Sequence, residues 1–164
     1  GVERGVLKPA VSGGAYRTRV LQRGDSIDWA GSDVGPYLIQ AFVDNVETRG
    51  EWSLHYFGGS YSHAVRKTAR AGDFRVQEEH GGAVVAEAAA EPLIEEGHRV
   101  LAGVPGPDAL AYARVDLVED DDGVPVLMEV ERIEPELFLR VAPAACERLA
   151  RAVVAAGRAS GYSR

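Results

Sequence analysis

The sequence predicts an α+β fold built on antiparallel sheet. Three observations predict it: two pairs of strand-like runs closed by short glycine turns, only two or three helical stretches, and no repeated strand–helix–strand alternation. In order, residues 6–9 read as a short strand and 10–15 as a flexible loop, Ala-Val-Ser-Gly-Gly-Ala. Residues 17–21 return as a strand. Residues 25–35 are polar and turn-rich, with room for one helical turn, and 37–43 form an apolar run of strand length.

The clearest local signal follows. Residues 51–57 and 61–67 flank Gly58-Gly59-Ser60, and two glycines accept positive φ twice, as a tight hairpin turn requires. Pairing Phe57 with Ser60 sets Tyr56 opposite Tyr61 and Trp52 opposite Val65. Residues 74–77 read as a short extended piece, and Gly81-Gly82 as a turn. Residues 91–104 carry Leu93, Ile94, Val100 and Leu101 with charges between them, an amphipathic helix stopped by Gly103 and Pro105. Residues 111–118 and 124–130 form a second hairpin. Residues 142–159 are Ala-rich, with Pro143 near the start and Gly157 and Gly161 towards the end, and read as a closing helix.

Composition narrows the function classes. The chain has 164 residues, enough for one domain with a real core, and 46% of them are hydrophobic. Its net charge is −7 and its Lys and Arg residues form no basic stripe, which argues against nucleic acid as a partner. No apolar run has the length of a membrane span, so no membrane partner is expected. One cysteine, Cys146, rules out an intramolecular disulfide framework and fits a reducing cytoplasm; its place in the Ala-rich helix reads as packing. His55, His63, His80 and His98 show no metal-ligand spacing. The chain opens on Gly-Val-Glu-Arg-Gly, without an initiator Met, and reads as a fragment of a longer polypeptide.

The second hairpin is a candidate chemical site. Asp122-Gly123 suits a two-residue turn, which would pair Asp121 with Val124. Asp116 then falls opposite Glu129, and Arg114 opposite Glu131. Period-2 alternation puts these four on one face and Val115, Leu117, Met128 and Val130 on the other, the core face. Directly opposed carboxylates repel. A cluster of three calls for a cation, and oxygen donors suit Mg2+ or Mn2+. From the hairpin alone a second reading stands: a solvated face on which acids cost little.

With these residues in view, the sequence resembles the ATP-grasp superfamily of ligases. Arg114-Val115-Asp116 followed by Met128-Glu129-Val130-Glu131 is similar to that family's metal-binding core, with Asp116 and Glu129 13 residues apart as in D-alanine ligase-like members. Glu131 stands where the family usually has Asn. The resemblance implies that Asp116, Glu129 and Glu131 hold Mg2+ against the ATP phosphates. It implies that Arg114 stabilises charge on the transferred phosphoryl group or the tetrahedral intermediate.

The other motifs match in order. Lys8 resembles the strand lysine that reaches the nucleotide, and Ser12-Gly13-Gly14-Ala15-Tyr16 the small loop that closes over the phosphates. Gln40-Ala41-Phe42-Val43 resembles the hinge strand whose backbone binds the adenine edge, and Glu51 the acid that binds the ribose hydroxyls. Lys67 would be a further phosphate contact. Gly72-Asp73-Phe74-Arg75-Val76-Gln77 with Gly81-Gly82 resembles a segment of glutathione synthetase-like members, with Arg75 on the γ-phosphate and Gln77 replacing the usual Asn. Taken alone, Glu51 reads as an exposed strand-end acid and Lys67 as a solvated charge.

The sequence also looks like a bacterial group likened to cycloserine synthetase. The resemblance implies an ATP-grasp fold of two antiparallel-sheet subdomains with flanking helices. Residues 1–43 would belong to the nucleotide-clasping part and 44–164 to the metal- and phosphate-binding part. The N-terminal domain of the family would be absent from this chain. The implied activity is a ligase that joins a small carboxylate to an amine or other nucleophile through an acyl phosphate. The implied partners are ATP, those two substrates and the upstream domain, with a homodimer also allowed. Two other readings stand beside it: an ATP-binding fragment without turnover of its own, and a non-catalytic binding module with a solvated carboxylate face.

Overall fold

A computed structural model of the chain describes residues 3–11, 15–27, 35–106 and 110–159. The fold is α+β, with two antiparallel sheets in two compact units, Gly1–Asp44 and Asn45–Arg164. Each unit is taken by itself. Among the described residues no helix is long and apolar enough to cross a membrane.

The first unit is a three-stranded sheet in the order β2-β1-β3, from β1 (Arg4–Pro9), β2 (Arg19–Gln22) and β3 (Tyr37–Ala41). The central strand carries the buried Val6 and Leu7. Lys8 is half-buried on this strand, opposite Leu38 of β3. Gly5 lies where a Cβ would approach Gln40 O at 3.2 Å, so a larger residue would push the strands apart. Part of the turn-rich stretch expected at 25–35 lies outside the described residues, as do Ser12, Gly13 and Gly14.

The second unit is a five-stranded sheet in the order β6-β5-β4-β7-β8, antiparallel throughout. Its strands are β4 (Glu51–Phe57), β5 (Ser60–Thr68), β6 (Ala83–Ala86), β7 (Tyr112–Glu119) and β8 (Pro125–Glu131). Helix α1 (Asn45–Thr48) precedes the sheet, α2 (Glu91–Ala102) joins β6 to β7, and α3 (Cys146–Ala159) closes the described chain. The apolar face of β4 and β7 carries Trp52, Leu54, Tyr56, Ala113, Val115 and Leu117, and Leu93 and Leu101 of α2 pack into the same core. Gly97 marks the closest approach of α2. A Cβ there would lie 2.0 Å from the Tyr56 hydroxyl, which donates to Ile94 O.

One expected strand and one expected side-chain placement differ, and short elements appear that were not foreseen. Residues 74–77 are not a strand: the segment is an irregular loop in which Asp73 accepts from the Arg75 backbone N at 3.0 Å and from its guanidinium at 2.8 Å. Cys146 is exposed at the head of α3, a helix without a buried residue, rather than packed. α1 and β6 are four residues long, too short to show a period.

Both hairpins carry an extra residue. At Gly58-Gly59 both φ angles are positive, +57° and +79°, and Phe57–Ser60 and Tyr56–Tyr61 pair as expected. A bulge at Ser62 then shifts the register. His55 meets His63, and Trp52 meets Arg66 instead of Val65, with the guanidinium 5.3 Å above the indole ring. The second turn is three residues long, not two. Asp120 and Val124 close it, with Gly123 at φ +78° and the Asp120 carboxylate accepting from the Asp122 and Val124 amides. Met128 is the extra residue of β8: Leu127, not Met128, faces Leu117. Beyond it the register returns to Asp116–Glu129 and Arg114–Glu131, the pairs expected from the sequence.

Candidate functional site

Alternation along the strands sorts polar from apolar side chains. On β4, Glu51, Ser53 and His55 take the face opposite the core. Cross-strand pairing extends this face into rows. His63, His55, Arg114 and Glu131 form one row across β5-β4-β7-β8; Ser53, Asp116 and Glu129 form the next; Glu51 and Lys67 pair in the third. Ionisable groups thus cover one face of a sheet whose central strand is buried throughout.

Asp116 is the hub, with 1% of its surface exposed. Arg114 donates to its Oδ1 from Nε at 2.9 Å and to its Oδ2 from Nη2 at 2.9 Å. Lys67 Nζ donates to Oδ2 at 3.2 Å and pairs with Glu51 as well. Arg114 Nη2 also reaches Glu131 Oε1 at 2.5 Å. Burial opposes the charge on Asp116, but Lys67 and Arg114 outweigh it and hold the carboxyl well below the usual range. Burial pulls Lys67 the other way, and Asp116 with Glu51 raises it above a free lysine. Burial raises Glu51 and Glu131, against the attraction of Lys67 and Arg114 respectively.

Asp116, Glu129 and Glu131 each present a carboxylate oxygen within 4.8 Å of the other two. Their depths differ: Asp116 is buried, Glu131 half-buried and Glu129 exposed. Three hard oxygen donors on two adjacent strands, open on the β8 side, suit a small divalent cation. Asp116 Oδ1 accepts from Arg114 Nε, and a carboxylate oxygen has lone-pair capacity for more than one partner.

The other expected site residues fall in three places. Lys67 and Glu51 join the Asp116 network and are buried against each other, at 5% and 8% exposure. Arg75 lies on the loop after β5, held by Asp73, and Gln77 on the same loop has a buried Oε1 with no partner among the described residues. Lys8, Gln40, Ala41, Phe42 and Val43 belong to the first unit. There Arg4 stacks over the Phe42 ring at 3.6 Å and pairs with Asp44 at 3.0 Å.

The histidine end of the face was not foreseen. His55 and His63 stack in parallel, ring centroids 4.2 Å apart. His63 Nε2 donates to Leu137 O at 3.0 Å, and His55 Nε2 to Glu136 O at 3.3 Å. Arg114 Nη1 donates to the same Glu136 oxygen, also at 3.3 Å. Phe138 is buried against the His55 ring, edge to face, 5.7 Å between centroids. It holds φ +47°, a conformation that costs an L-residue about 1–2 kcal/mol. Burial, reinforced by His63, pushes His55 down to about 4, so the ring is neutral at pH 7. A bulge-free hairpin would have set His55 against Ser62, which is why the pair was invisible in the sequence.

No protein-family model matches the sequence. The cycloserine biosynthesis protein DcsG of Streptomyces lavendulae is 33% identical over 129 residues, which cover 71% of this chain and 40% of that protein. The crystal structure of D-cycloserine synthetase DcsG superposes with a TM-score of 0.77 at 26% identity, over 96% of this chain and 56% of that one. A D-alanine–D-alanine ligase from Bacillus anthracis, solved with ATP, shares the fold at a TM-score of 0.65 and 19% identity, over 95% of this chain and 53% of that one. The ATP-grasp ligase PsnB, solved with a precursor variant, Mg and ADP, shares it at 0.60 and 17%, over 92% of this chain and 47% of that one. The chain spans about half the length of the relatives it matches.

Proposed function

Because the chain is a relative of the ATP-grasp ligases, we propose that it carries the Mg–ATP site of an ATP-dependent ligase that joins a carboxylate to an amine or related nucleophile through an acyl phosphate. The observation that carries the reading is the convergence of Asp116, Glu129 and Glu131 within 4.8 Å beside a fixed guanidinium. These three would hold Mg2+, which when bound neutralises phosphate charge. Arg114 aims its cationic fork along the same face, where negative charge develops during transfer to the carboxylate. The buried Lys67–Glu51 pair keeps Asp116 ionised and in place, a role beside the phosphate and ribose contacts that the family resemblance assigns to them. Arg75 is assigned to the γ-phosphate and Gln77 to the same segment. Lys8, the Ser12-Gly13-Gly14 loop, Gln40, Ala41, Phe42 and Val43 are assigned to the nucleotide. Residues 1–43 and 44–164 serve as the clasping and the metal-binding parts.

A second reading has an observation in its favour. The chain spans 40% of its cycloserine relative, so a nucleotide-binding piece that needs further sequence for turnover fits equally well. On both readings the partners of this region are ATP, Mg2+ and, for the whole ligase, a carboxylate and a nucleophile.

Calorimetric titration with Mg–ATP tests the site. The chain is expected to bind, and Glu129→Gln to weaken binding by roughly tenfold or more. Because Glu129 is exposed, that variant reports on the ligand and not on folding. Asp116→Asn is expected to do the same. Unchanged affinity in both variants would sink the metal-site reading. Binding without ADP release across a panel of amino acids would select the nucleotide-binding piece.

A further inference from the structure

We infer that His55, supported by His63, is a positioning residue for the Arg114 guanidinium, acting through the backbone carbonyl of Glu136. The inference rests on the reading of Arg114 given above. Arg114 makes bonds on two sides. Its Nε and Nη2 meet the carboxylates of Asp116 and Glu131, and among the described residues its Nη1 meets the Glu136 oxygen at 3.3 Å. That oxygen belongs to the segment after β8, in which Glu134 and Phe138 both take positive φ. Such a backbone persists only where its surroundings hold it.

Two imidazoles do the holding. His55 Nε2 donates to the Glu136 oxygen and His63 Nε2 to the next carbonyl, Leu137. A carbonyl oxygen only accepts, so both rings carry their proton on Nε2. The rings stack at 4.2 Å, and the edge-to-face Phe138 fixes the segment from below, with the Arg114 Cζ 5.9 Å from the same ring. The cross-strand row His63–His55–Arg114 places the three side chains side by side on adjacent strands. The carbonyl of Glu136 is therefore shared by the positioning histidine and the arginine. Without it the guanidinium keeps its carboxylates and loses the contact that sets its third edge.

The test uses the chain labelled with nitrogen-15, the Arg114 Nε–H signal being assigned by its loss in Arg114→Lys. His55→Leu removes the donor and keeps the bulk; His55→Gln returns an N–H donor. We expect His55→Leu to move the Arg114 signal and to lower the affinity for magnesium with a non-hydrolysable ATP analogue by about fivefold, the worth of one neutral hydrogen bond. His55→Gln should recover both, and in the Arg114→Lys background His55→Leu should change affinity no further. His63→Leu, at a half-buried position, should move the signal in the same direction and serves if His55→Leu does not fold. An Arg114 signal unmoved by the histidine variants, or an equal affinity loss in both backgrounds, would overturn the inference. If the wild-type chain binds no nucleotide, the Mg–ATP reading fails while the Arg114 signal still decides the positioning role.

Discussion

The two hairpins of the five-stranded sheet each contain one bulge, and the outcomes differ. In β4–β5 the turn has the expected length, so the bulge at Ser62 displaces every pair beyond it. In β7–β8 the turn is one residue longer than expected, and the bulge at Met128 takes up the difference before the site is reached. Register at a site is thus the sum of turn length and bulges between turn and site. The hairpins also differ in depth. The first buries Glu51, Lys67 and His55; the second buries Arg114 and Asp116 on β7 but sets Glu129 of β8 at the surface. The first hairpin braces Asp116 from below the surface through Lys67, and the edge strand of the second presents the outer carboxylates.

The largest effect is expected from breaking the offset in β8. One residue inserted between Met128 and Glu129 leaves the turn alone but adds a second extra residue ahead of the carboxylates. A slip of one position turns a side chain to the opposite face, so Glu129 and Glu131 would leave Asp116. Calorimetry should then detect no Mg–ATP binding. A glycine inserted between Asp121 and Asp122 lengthens only the exposed turn and leaves β8 and its bulge unchanged. That variant should bind as the wild type does. Equal loss in the two insertions would show that the bulge does not govern the site.

The next effect separates the buried Lys67 of the first hairpin from the exposed Glu129 of the second. Lys67→Met leaves Glu51 and Asp116 buried beside each other without the cation between them, and removing one partner of a buried pair costs about 3–5 kcal/mol. Glu129→Gln, at the surface, should change stability by no more than about 0.5 kcal/mol. Urea unfolding of both variants measures the contrast. A Lys67→Met chain as stable as Glu129→Gln would mean that the network is not structural.

The same contrast explains what the sequence made legible. The strands of both hairpins follow from glycine turns, α2 from apolar period, α3 from an Ala-rich run that starts near a proline, and the carboxylate cluster from alternation around one turn. Its pairs emerged through two compensating departures, a three-residue turn and a bulge, neither marked by a residue type: Met128 and Ser62 look like ordinary strand residues. The histidine stack depends on the uncompensated bulge and on a loop 74 residues away from His63 in sequence, so no local pattern announces it. The depth of Lys67 and Glu51 was hidden for a related reason. Each reads as a strand-end charge, and only the shared face with Asp116 makes them a buried triad.

The smallest effect distinguishes the turns. Gly59 and Gly123 hold nearly the same φ, +79° and +78°, and neither has an atom near enough to meet an added Cβ. Alanine at either therefore suffers only the left-handed backbone, about 1–2 kcal/mol. Asparagine visits that conformation readily, so Gly123→Asn should recover most of the loss. The first turn holds Gly58 and Gly59 both in this region, and a Gly58→Ala, Gly59→Ala double variant should lose about twice as much as Gly123→Ala. Thermal unfolding ranks the three. Because the Asp120 carboxylate accepts from two amides of the second turn, Gly123→Ala should keep the Asp116–Glu129 register and its Mg–ATP affinity. A loss of affinity in Gly123→Ala would mean that the turn, and not the bulge at Met128, sets the register at the site.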